Sequence, residues 1–250
     1  MEYIHNTEQF QFHNTVVALG KFDGMHKGHQ LIFDELIKYK EMGYQAAVFS
    51  FDRPPLNMLK HKHMNVIYTT NEKTKLLAKR GIDIYIEHPF TDEFSHLSPE
   101  DFVIKVLLEK TGMKVLVVGD DCGFGYKRQG NVELLERMSK EYDFKLIVIP
   151  KLELEGEIVS STRVRRLLSE GRIEEANRLM EDPFMICGPV VHGNHMGAEV
   201  LQMPTANQIP AEDKLLPPKG VYVSRIRYKD EIHYGTVSYT HLTLPTKLEV

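Results

Sequence analysis

The segment Gly20-Lys21-Phe22-Asp23-Gly24-Met25-His26-Lys27-Gly28-His29 sets two histidines and an aspartate among three glycines. Its glycines let backbone approach a ligand closely. Its two imidazoles, His26 and His29, stand three residues apart, and each can donate a hydrogen bond to a phosphate oxygen. A histidine beside phosphate tends to hold its proton, because opposite charge favours the charged form. A helix opening near Gly28 would add backbone N–H groups for an anion. A second set follows late in the chain: Ser160, Ser161 and Thr162, then Arg163, Arg165 and Arg166. Any one hydroxyl there would serve as a helix cap. Three of them followed by arginines exceed that need and suit a small phosphorylated ligand. Asp121 stands in a glycine-flanked turn, a place where a plain turn former also sits.

Such residues need a scaffold, and the first two-thirds of the chain supplies an alternating one. Strands are expected over 15–19, 45–51, 82–86, 114–118 and 145–149. Helices are expected over 31–42, 72–79 and 131–140, with another opening at Ser98-Pro99-Glu100-Asp101. Leu31, Ile32, Leu36 and Ile37 mark the apolar side of the first helix, and Gly81 a C-terminal stop. The run 114–118 is nearly free of polar side chains, as parallel strands covered on both faces are. This order predicts an α/β fold with a doubly wound parallel sheet. Ligands of such sheets bind at the carboxyl ends of the strands, where residues 20–29 follow the run 15–19. After Pro183 the pattern changes. Residues 185–192 and 221–228 read as strands among Gly- and Pro-rich loops, so a second, all-β unit is expected from a boundary near 181–184.

The bulk numbers narrow the partners. The chain has 250 residues, 42% apolar and 26% charged, with a formal net charge of -4. That balance is of an ordinary globular protein and lacks the basic excess of a nucleic-acid binder. Cys122 and Cys187 match no zinc or redox spacing and read as small apolar residues. His61 and His63 form a loop pair without a third ligand type at useful spacing. Residues 1–10 do not read as a signal peptide, and no apolar run is long enough for a membrane span. A cytoplasmic protein with no nucleic-acid and no membrane partner is expected.

The pattern Gly-x-Phe-Asp-Gly-x-His-x-Gly-His resembles that of the prokaryotic bifunctional riboflavin kinase/FAD synthetase family, within the nucleotidyltransferase superfamily. Val118-Gly119-Asp120-Asp121-Cys122-Gly123-Phe124-Gly125 resembles the family's turn after its fourth strand. Val159-Ser160-Ser161-Thr162-Arg163-Val164-Arg165 resembles its Ile-Ser-Ser-Thr-x-Ile-Arg motif. Gly188-Pro189-Val190-Val191-His192-Gly193 and Pro204-Thr205-Ala206-Asn207 resemble the opening of its kinase domain. The resemblance implies a Rossmann-like adenylyltransferase domain over 1–183 and the start of a riboflavin kinase barrel over 184–236. It implies ATP, FMN and riboflavin as partners, Mg²⁺ with the ATP, and transfer of AMP to FMN. On this reading His26 and His29 are catalytic. Gly20, Phe22, Asp23, Gly24, Gly28, Ser160, Ser161, Thr162 and Arg165 hold ATP, and Asp121 lies beside nucleotide or flavin. Asp23 could orient the loop or meet Mg²⁺. Thr205 and Asn207 match the kinase positions for Mg²⁺ and phosphate. Alternatives are a cytidylyltransferase, a nicotinate-mononucleotide adenylyltransferase, or a non-catalytic flavin or nucleotide sensor.

The sequence also departs from the family. Ser50-Phe51-Asp52-Arg53-Pro54-Pro55 has Arg53 and Pro54 where the family has Pro and His. Gly197-Ala198-Glu199-Val200-Leu201-Gln202 lacks the arginine and one glycine of the kinase motif. The kinase barrel reads as incomplete. Residues 237–246 do not continue the family pattern, and translate a common transposase-based sequencing adaptor, so 237–250 is expected to be a non-native tail. An incomplete barrel predicts poor folding from Phe184 onward and no riboflavin phosphorylation.

Overall fold

The computed structural model describes residues 1–52, 65–191, 206–229 and 231–239. Arg53, Pro54, Pro55, His61, His63, Thr205, the run 197–202 and the tail from 240 lie outside the described residues.

Six parallel strands form one sheet: β1 (Glu2–His5), β2 (Thr15–Leu19), β3 (Gln45–Phe51), β4 (Ile84–His88), β5 (Met113–Gly119) and β6 (Lys145–Ile149). Their spatial order is β1-β4-β3-β2-β5-β6. The strands from β2 to β6 thus follow the doubly wound order, and β1 adds an edge beside β4. The sequence signal for β1 is weak, because Glu2 and His5 are exposed and only four residues pair.

Alternate residues divide two cores. Val16, Ala18, Ala46, Val48, Val115 and Val117 face α1 (Lys27–Glu41), α2 (Thr70–Lys79), α6 (Ser161–Ser169) and α7 (Ile173–Leu179). Val17, Leu19, Ala47, Phe49, Leu116 and Val118 face the other side. There α4 (Pro99–Asp101) runs on as a π-helical stretch, Phe102–Lys110, and α5 (Val132–Glu141) packs beside it. A short α3 (Asp92–Ser95) precedes them. The capping signals work as read: Ser98 accepts from the Asp101 amide, and Gly81 adopts φ +84° past the end of α2.

Three expectations shift. In α1 the buried residues are Ile32, Phe33, Leu36 and Tyr39, while Leu31 is exposed, so the apolar stripe is rotated toward the aromatic rings. The strand expected over 82–86 begins at Ile84, because Ile82 completes the turn after Gly81. Of the run 185–192, Val190–Val191 alone is a strand among the described residues (β9). Upstream of it Met185 and Cys187 spend backbone groups on side chains of other segments.

The remaining strands form antiparallel pairs. β7 (Glu153–Leu154) pairs β8 (Glu157–Ile158), and β9 pairs β10 (Asn207–Gln208). β11 (Gly220–Tyr228) and β12 (Glu231–Tyr239) form an antiparallel hairpin. Val237, Ser238 and Tyr239, read as the start of the foreign tail, occupy the last places of β12 opposite Tyr222, Val221 and Gly220.

Candidate active site

The chain leaves β2 toward β3 on one side, and β5 returns on the other. The connections that leave β2 and β5 therefore run to opposite sides, the arrangement that opens a crevice at the switch point of such a sheet. Residues 20–29 form one wall of it and the turn after Gly119 the other.

The loop is built from uncommon backbone. Phe22 (φ 50°), Gly24 (φ 79°) and Met25 (φ 37°) all lie in the left-handed region, which costs L-residues energy and is retained where surroundings enforce it. Gly20 lacks a Cβ where one would stand 2.9 Å from the Phe22 ring, which folds back over it. That ring packs on Phe33 at 5.0 Å and edge-on to His29 at 5.2 Å. His26 caps α1 with its carbonyl, which accepts from the His29 amide at 2.7 Å. The two imidazoles stack with centroids 3.7 Å apart. A Cβ on Gly28 would sit 3.2 Å from His26 Nδ1 and Cε1, so the glycine between the histidines makes room for their stacking.

Burial pushes the His26 ring down to about 4, offset in part by Asp121, and holds His29 well below the ordinary imidazole range, with His26 adding to the effect. The protein alone thus favours neutral rings. His26 Nδ1, His29 Nδ1 and Gln30 Nε2 are buried without a hydrogen-bond partner among the described residues. Unanswered buried polar atoms are uncommon and mark places where a ligand group can answer them.

Asp23 is tied on both oxygens. Oδ1 accepts from the Ile67 amide (2.9 Å) and the Tyr68 amide (3.3 Å), and Oδ2 meets Arg165 Nη2 at 2.5 Å. These contacts tie the loop to residues 67–68 and to Arg165. Ser161 Oγ donates to the Asp23 carbonyl at 2.6 Å, and Arg165 also donates to the Asn65 carbonyl. Ser160 is the N-cap of α6, accepting from the Arg163 amide at 3.2 Å, and Thr162 is exposed. These contacts bring the second motif against the first.

The three arginines do not form one patch. Successive helical residues diverge by about 100°, so Arg165 turns to Asp23 while Arg163 and Arg166 turn to Glu157, at 3.1 and 3.5 Å. The latter pair lines an open groove of about 470 Å³ with Gly156, Ser160 and Thr162. Asp121 is largely exposed across the crevice, 3.4 Å from Lys151 Nζ. Asn207 lies apart in β10, paired with Val191.

Two cations at the crevice carried no separate signal in the sequence. Lys21 is pushed below its ordinary range by desolvation first and by Arg128 second. The Arg128 guanidinium lies where a Cβ on Gly123 would be, 2.8 Å from Nε. A glycine two residues beyond Asp121 was the available hint. Burial pushes the Cys122 thiol up to about 12, as fits a packing residue.

Among the described residues no group of three or more His, Cys, Asp or Glu side chains could hold a metal ion, and no helix is long and apolar enough to cross a membrane.

Comparison with known proteins agrees with this geometry. A family model described as FAD synthetase matches residues 8–163, and one described as riboflavin kinase matches 180–247. A bifunctional riboflavin kinase/FMN adenylyltransferase of Buchnera aphidicola subsp. Schizaphis graminum is 38% identical over 89% of this chain and 72% of its own length. The protein so named from Listeria monocytogenes is 35% identical over 94% of this chain and 76% of its own. That of Escherichia coli K12 is 32% identical over 89% and 71%. A crystal structure from Streptococcus pneumoniae, described as a macrolide-efflux protein, superposes with a TM-score of 0.83 at 29% identity, covering 94% of this chain and 77% of that one. A family model over residues 8–163 and relatives more than 30% identical over most of their own length agree, and the chain belongs to the family of bifunctional riboflavin kinases/FMN adenylyltransferases.

Proposed function

We propose that residues 20–29 and 160–165 carry the transfer of AMP from ATP to FMN, yielding FAD and pyrophosphate. The observation that carries the reading is the stacked His26–His29 pair, with an unanswered buried nitrogen on each ring, at the switch point of the sheet. The FMN phosphate is already ionised, so attack on the α-phosphorus needs no general base. The Pα–O bond to pyrophosphate breaks as the new one forms. Catalysis is then positioning and stabilisation of charge on the transferring group.

In this reading His26 and His29 donate to phosphate oxygens. Gly20, Gly24 and Gly28 keep the loop in its shape, and Phe22 packs its underside. Asp23 and Ser161 tie it to α6, and Ser160, Thr162 and Arg165 stand at the start of that helix. Lys21 and Arg128 supply positive charge at the crevice mouth. Asp121 sits where the nucleotide or flavin would end. The family uses a divalent metal; Mg²⁺ would arrive with ATP and be bound chiefly through phosphate oxygens and water. A cytoplasmic location fits these substrates, and neither a nucleic acid nor a membrane is needed. In the kinase-matching part, Thr205 and Asn207 are the positions for Mg²⁺ and phosphate.

The test is incubation with ATP, Mg²⁺ and FMN, followed by separation of FAD and assay of pyrophosphate. FAD formed in step with pyrophosphate is the expected result. Use of CTP or nicotinate mononucleotide instead would move the chain to another nucleotidyltransferase activity. Tight binding without pyrophosphate release would make it a sensor.

A further inference from the structure

Residues 65–68 form a strap along the outside of the phosphate loop. Its inner contacts are the Asp23 and Arg165 bonds already described, to Asn65, Ile67 and Tyr68. Its outer contacts come from the part of the chain that matches riboflavin kinase. The Val66 amide donates to the Asp213 carbonyl at 2.6 Å, and the Leu215 amide to the Val66 carbonyl at 2.7 Å.

Lys214 lies between them and is 2% exposed. Its Nζ donates to the Ile67 carbonyl (2.6 Å), the Met185 carbonyl (2.7 Å) and Glu72 Oε2 (2.6 Å). An ammonium has three protons, and all three have acceptors. Glu72 is fully buried. It closes the capping box of α2 through the Thr69 amide and accepts from the Cys187 amide at 2.7 Å.

One peptide group is held from both ends. Lys214 binds the carbonyl of the Ile67–Tyr68 peptide, and Asp23 binds its N–H. Filling this space with apolar side chains would hold the segments together at less desolvation cost. What the ammonium adds is a fixed direction for that peptide. We infer that Lys214 is a positioning residue for the ATP-holding loop, acting through the Ile67–Tyr68 peptide on Asp23 and Arg165. The inference rests on the proposed adenylyl transfer.

The experiment compares the full chain with Lys214→Met and with the pair Lys214→Met, Glu72→Gln, which leaves no unpaired buried charge. Thermal unfolding shows which proteins fold, calorimetry gives the Kd for ATP, and FAD formation gives KM for ATP and for FMN. Expected is an ATP Kd and KM raised about tenfold in the folded variants, with the KM for FMN within about twofold. A folded variant with the parent's ATP affinity overturns the inference. So does failure of both variants to fold, since Lys214 would then hold the fold rather than the site. A parent that binds ATP but makes no FAD sinks the functional reading instead, and the Kd comparison still decides the role of Lys214.

Discussion

Without a ligand His26 and His29 favour the neutral form, because burial disfavours their charge and at His26 outweighs the attraction of Asp121. A phosphate brought against them reverses the balance and raises their pKa. Binding of Mg·ATP between about pH 5 and 6.5 should therefore take up protons, His26 starting from about 4. Calorimetric heats that vary among buffers of different ionisation enthalpy would show it; identical heats would refute it. His29→Ala should lower turnover by roughly 10²–10³ while leaving the unfolding midpoint near the parent's. Normal turnover would remove His29 from the chemistry. At this scale the sequence was informative where the chemistry is local. The two histidines and the serine motif were readable from spacing. The partners of Asp23 were not, because they lie 44 and 142 residues away. Nor was Lys21 opposite Arg128, since nothing in the intervening sequence says that the two turns face each other.

The loop between β2 and α1 is the element on which the site depends, and its shape is set by left-handed backbone at three residues in four. Gly24 has φ 79°, and a Cβ there would stand 3.0 Å from Ile67 Cδ1. Gly24→Ala should cost about 1–2 kcal/mol of stability and raise the KM for ATP more than that for FMN. Equal changes in both KM values would show that the loop does not serve ATP in particular. The strands from β2 onward were legible because they carry apolar runs, and β2 to β5 are buried along most of their length while β6 is half-buried at the edge. Strand β1 was not, since its register against β4 is set by a partner over eighty residues away. The run 185–192 looked like a strand for its apolar content. Cys187 and Met185 instead bond to Glu72 and Lys214, a long-range competition that local pattern does not show.

In the whole molecule, the part matching riboflavin kinase is docked unevenly. Residues 213–215 are bonded into the first unit, whereas the β11–β12 hairpin leaves Val221, Val223 and Tyr234 71%, 89% and 79% exposed. A kinase site needs a covered apolar core beneath it, so this chain should convert no riboflavin to FMN under conditions in which it makes FAD. FMN appearing from riboflavin and ATP would refute that. Lys214 also changes how the molecule divides. The pattern in the sequence breaks near Pro183, but the contacts break elsewhere. Were the chain cut at that residue, Glu72 would lose its ammonium partner and the Ile67 carbonyl its donor. The removal of one partner from such a pair costs about 3–5 kcal/mol. A gene split at the obvious seam would thus yield an N-terminal piece that carries every histidine and serine of the site yet lacks the cation that braces them. Any ancestral or engineered separation of the two activities would have to carry residues 211–215 along with the first, or supply a new counter-charge at Glu72.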